Sequence, residues 1–64
     1  MDGTRLRRIR RARALSQRDL ARITGMAHDT ISQLETGKRE AQPRTIRKLA
    51  EALGVEPRVL MKGD

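Results

Sequence analysis

Apolar positions recur along this chain at helical spacing, with no alternating run of the kind a strand would need. Leu6, Ile9 and Arg13 keep one register, Leu20, Ala21 and Ile23 a second, and Ile46, Leu49, Ala50 and Leu53 a third. The pattern predicts five short helices, over about 4–13, 16–23, 27–35, 43–53 and 57–61, and an all-α bundle in one domain spanning 1–64. Punctuation supports these limits. Ser16 with Asp19 three residues on is close to a capping box. Gly25, Gly37 and Gly54 stop three of the helices, and Pro43 and Pro57 suit the first turns of two others.

The segment AHDTISQLETGK, Ala27 to Lys38, departs from an ordinary amphipathic helix. At about 100° per residue, Ala27, Thr30, Ile31 and Leu34 fall on one arc and read as core lining. His28, Asp29, Ser32, Gln33 and Thr36 fall on the other. That second arc is a row of hydrogen-bonding groups with no shared charge sign, as a face that reads a patterned partner would need.

Composition narrows the partner. The chain carries a net charge of +7, mostly from Arg, and has no Cys and no aromatic residue. Thiolate metal sites and disulfides are excluded. The basic excess points first to nucleic acid and second to an anionic membrane. Its distribution matters more than its size: residues 1–14 balance at +5, 15–35 at −1 and 36–64 at +3. A nearly neutral centre between positive flanks suits a reader of base edges held by phosphate contacts on both sides. With no apolar run near the ~20 residues of a membrane span and no secretory pattern, a cytoplasmic, nucleoid-associated location is expected. A domain this small buries only ~60% of its unfolded surface, so pairing with a second copy would help it.

Ala21, then Gly25 four residues on, then Ile31 and Leu34 six and nine beyond the glycine, is the spacing of two helices crossing closely through a tight turn. With LRRIRRARALSQRDLA, TGMAHDTISQLETGKR and PRTIRKLAEALGV around it, the chain resembles the Cro/phage-repressor (XRE-type) helix-turn-helix family over about Leu6 to Leu60. The resemblance implies a five-helix, lambda-repressor-like bundle and a transcriptional regulator, most often a repressor. Such a regulator binds a palindromic double-stranded operator as a homodimer, with the third helix in the major groove.

By position, the resemblance makes His28, Asp29, Ser32 and Gln33 base-facing, with Gln33 able to pair with adenine in two places. Ser16, Gln17, Thr36, Lys38, Arg39 and Arg44 become phosphate contacts, and Arg10 with Glu35 a structural ion pair. His28 and Asp29 are not the Gln or Arg common at those positions, and Glu40 places an unhelpful charge in the following loop. Pro57, Arg58, Leu60 and Met61, with the loop 39–42, are the dimer-interface candidates.

Several duller readings compete. Asp29 can simply serve the helix N-terminus, and part of the cluster Arg5, Arg7, Arg8 and Arg11 is a solvated face. Neither Ser16 nor Ser32 has the partners of a nucleophile. His28 lacks a second metal ligand, so neither an enzyme nor a cofactor is expected. The alternative class is an antitoxin-like module that binds a protein partner and autoregulates its operon. A membrane-active LRRIRRARAL segment is a remote third.

Overall fold

The computed structural model describes residues 1–61. Five helices follow in order, α1 Gly3–Ala12, α2 Gln17–Thr24, α3 His28–Thr36, α4 Pro43–Leu53 and α5 Pro57–Leu60, with no strand among the described residues. The local chemistry explains most of their limits. Asp2 caps α1, its Oδ1 accepting from the Thr4 and Arg5 amides at 3.1 and 3.2 Å, so the helix begins one residue ahead of the expected start. The full capping box forms at α2: Ser16 Oγ accepts from the Asp19 amide at 2.9 Å, and Asp19 Oδ2 accepts from the Ser16 amide at 2.9 Å.

All five helices contribute to a core of Leu6, Leu20, Ala21, Ile31, Leu34, Ile46, Leu49, Ala50, Leu53 and Leu60. Leu6, Leu20, Ile31, Leu49 and Leu60 are wholly excluded from solvent. The short α5 is clasped to α1 by the Asp2 amide on Leu60 O at 2.9 Å and by Arg5 Nη1 on Val59 O at 3.3 Å.

Four expectations are corrected by this packing. Ile23, expected inside, is 52% exposed, and Thr24 is buried in its place. The inward arc of α2 is set by Leu20 and Ala21, and one turn beyond Leu20 comes Thr24. Its Oγ1 donates to Leu20 O at 2.8 Å, so the hydroxyl enters the core already partnered. Ala27 is the exposed N-cap of α3 rather than core lining. Arg13 does not extend the α1 stripe: it is the C-cap, and its Nε donates across the fold to Leu53 O at 2.9 Å. Leu60, expected at a dimer interface, is buried within this chain's own core, which removes it from any surface.

One close approach had no sequence signal. A Cβ on Gly3 would fall on the backbone carbonyl oxygens of Leu34 and Glu35, at the C-terminal end of α3. Glycine therefore lets α1 lie directly against the end of that helix. Gly3→Ala is expected to destabilise the fold by about 1–3 kcal/mol through overpacking, read as a lower urea midpoint. Part of any loss should appear as faster amide exchange at α3's C-terminal turn.

Candidate nucleic-acid interface

Ile31, Leu34 and Glu35 turn α3 inward. That orientation leaves His28, Asp29 and Thr36 exposed and Ser32 and Gln33 half-buried on the outer arc. Its first turn is acidic and lacks a side-chain cap, so the Asp29 carboxylate sits where the helix dipole favours it. His28 Nδ1 is 3.8 Å from Asp29 Oδ1, a charge pair only when the imidazole is protonated. The row carries donors and acceptors, one acid and one histidine, and no cation.

Cations begin immediately after it. Gly37 closes α3 at φ 83°, a left-handed turn that suits glycine. The chain then folds back, with the Lys38 and Arg39 amides donating to Gln33 O at 2.9 and 3.3 Å. This return brings the Arg39 side chain onto the outer row of α3: its Nε donates to Gln33 Oε1 at 2.9 Å. Lys38 stays exposed beside it. Arg44 is exposed on the outer side of α4, in a shallow depression shared with Arg47, Lys48 and Glu51. No hydrogen bond or ion pair ties it to α3 among the described residues.

A buried network sets the angle of α3. Arg10 Nε donates to Glu35 Oε2 at 2.6 Å and its Nη2 to Glu35 Oε1 at 3.2 Å, a two-pronged pair that is almost fully enclosed. Arg10 Nη1 donates to Leu15 O at 2.7 Å, which ties in the turn between α1 and α2. Gln17 completes the set, its Nε2 donating to Glu35 Oε1 at 3.0 Å. One carboxylate on α3 thus gathers α1 and the start of α2. Every buried side-chain polar atom among the described residues is satisfied. Gln17, read from sequence as a phosphate contact, directs its amide donor inward; its neighbour Ser16 has its oxygen engaged by the helix cap.

The charge in the α2 cap belongs to Asp19. Its carboxyl is held below the ordinary carboxylate value by the Ser16 backbone N–H first, then the Ser16 hydroxyl, with Arg22 adding a smaller contribution. A depressed folded-state value means the cap's contribution is complete above the unfolded value and disappears as pH falls through the folded one. Urea midpoints of the wild type should therefore decline below about pH 4, and Asp19→Asn should flatten that acid limb. Equal acid slopes for the two proteins would show that the cap's charge is irrelevant to α2.

Two tightly crossed helices joined by a glycine turn, the second presenting a polar row outward, define a class. The helix-turn-helix family model matches residues 6–60, and the chain belongs to that family. Among solved structures, the crystal structure of the restriction-modification controller protein C.AhdI from Aeromonas hydrophila superposes with a TM-score of 0.89. It is 42% identical, with 92% of this chain and 89% of that one covered. Two curated relatives come from Bacillus subtilis (strain 168). The HTH-type transcriptional regulator RghRB is 47% identical over 92% of this chain. The HTH-type transcriptional repressor RghR is 43% identical over 92% of it. The chain spans 43% and 44% of the lengths of those two proteins.

Proposed function

We propose that this chain is a sequence-specific double-stranded DNA-binding regulator of transcription, most simply a repressor, whose α3 enters the major groove. The observation that carries this reading is the outward row His28, Asp29, Ser32 and Gln33, followed at once by Lys38 and Arg39. An α-helix fits the major groove, where each base pair presents its own order of donors and acceptors. Mixed polar groups on the helix face bases, and adjoining cations meet phosphate. The similar proteins, a repressor and a restriction-modification controller among them, agree with regulation of transcription rather than catalysis.

In this reading Lys38, Arg44 and Thr36 hold the backbone, and the Gln17 amide at the start of α2 is offered to a phosphate, the Ser16 amide and hydroxyl both being taken by the cap. Two copies would associate through the α4–α5 side. There Pro57 and Arg58 are exposed, Met61 is half-exposed, and Met61 borders an apolar groove with Pro43, Ile46, Arg47 and Pro57. Such a homodimer would set two α3 helices about 34 Å apart, in successive grooves of a palindromic operator. Repression would follow by occluding polymerase in the cytoplasm.

The test is a pair of substitutions read on a site selected from random duplexes. Gln33→Ala is expected to weaken binding by about 1–3 kcal/mol and relax choice at one base pair. Lys38→Ala should weaken all duplexes by a similar factor and lower the salt slope by about 1 per protomer. Unchanged affinity in both titrations would remove α3 and its following turn from the interface.

A further inference from the structure

The bond from Arg39 to Gln33 changes what the reading row can recognise. A free glutamine carboxamide can flip, presenting donor and acceptor in either order. Here Oε1 accepts from Arg39 Nε at 2.9 Å, which fixes the order and leaves the Nε2 hydrogens without an acceptor among the described residues. Nε is the only guanidinium nitrogen of Arg39 with an acceptor among the described residues, so its terminal nitrogens are also available donors. They are held beside Gln33 because the Gly37 turn returns the chain and both following amides bind Gln33 O.

We propose that Arg39 and Gln33 act as one reader, and that its target is guanine rather than adenine. This rests on the DNA-reading role of α3. With Oε1 already engaged, the paired side chains present chiefly N–H donors and a positive charge toward the groove. Guanine alone shows two adjacent acceptors there, N7 and O6, whereas adenine sets an amino donor next to N7. An adenine amino group would face the guanidinium donor to donor. Arg39 thereby becomes a specificity-determining residue instead of the backbone clamp its position after the helix implies.

Selection from a randomised duplex library, run in parallel on the wild type, Gln33→Ala and Arg39→Ala, tests this. Arg39 is exposed, so its removal leaves the fold intact, and circular dichroism checks that. At the position relaxed by Gln33→Ala, the wild type should prefer guanine over adenine by roughly 5- to 150-fold. Arg39→Ala should move that preference toward adenine, because the freed amide can then pair with N6 and N7. Adenine chosen by the wild type would overturn the proposal. So would an Arg39→Ala protein that loses affinity for every duplex equally while keeping its base choice, since that is how a phosphate contact behaves. A library in which no sequence is enriched for any of the three proteins would overturn the DNA reading itself and this pair with it.

Discussion

Replacing Glu35 with alanine should destabilise the fold by about 3–5 kcal/mol, measured as the fall in unfolding free energy from urea titration. The size follows from what remains. Arg10 would keep its charge in a site that is only 8% exposed, with the Leu15 carbonyl its sole acceptor. Gln17 would lose its acceptor as well. Breaking one side of an enclosed pair costs more than the pair itself contributes, because the surviving charge stays desolvated. A double replacement, Arg10→Met with Glu35→Leu, should therefore be much less damaging than Glu35→Ala alone. If the double variant lost as much as the Arg10→Met and Glu35→Leu single variants together, the two residues would be uncoupled, and a stranded Arg10 charge would not be the cause of the Glu35→Ala loss. The two variants also separate stability from aim: the apolar pair should fold yet bind DNA more weakly, since α3 would lose its ties to α1 and α2.

Raising monovalent salt from 50 to 200 mM should weaken binding to the selected duplex by about 100-fold. In the proposed dimer, Lys38 and Arg44 from each protomer would neutralise about four phosphates, and each contributes about −0.9 to the slope of log affinity against log salt. A steeper slope would bring in the arginines of α1, where Arg7, Arg8 and Arg11 line an exposed face with Thr4. A slope near zero would show that the net charge of +7 has no part in binding. Lys38→Ala distinguishes a phosphate contact from a distant charge, because only the former changes the slope by a whole contact.

The all-helical class was legible because three kinds of signal agreed. Leu and Ile recur at helical spacing, Ser16 and Asp19 form a cap, and glycines stand at the helix ends. Errors arose where burial depends on partners distant in sequence. Nothing local distinguishes Ile23 from a core residue; the arc set by Leu20 and Ala21 does so, and Thr24 can replace it only because its hydroxyl bonds to Leu20 O. Leu60 is a dimer-interface candidate in the sequence, yet the Asp2 and Arg5 bonds to α5 draw it inward.

Within the candidate interface, the outer arc of α3 was readable from the 3.6-residue period alone. The side-chain pairings were not. Gln17 meeting Glu35 and Arg39 meeting Gln33 depend on rotamers and on the reversal at Gly37. The second of these changes the chemistry offered to a base.

The most direct test of the outward presentation of α3 is an NMR titration of the protein with its selected duplex, following backbone amides and intermolecular contacts. Outward presentation predicts the largest shifts at 28–33 and 36–39, with contacts from His28, Ser32 and Gln33 to major-groove base protons. Shifts confined to α1 or α4, with the α3 amides unmoved at saturation, would contradict it.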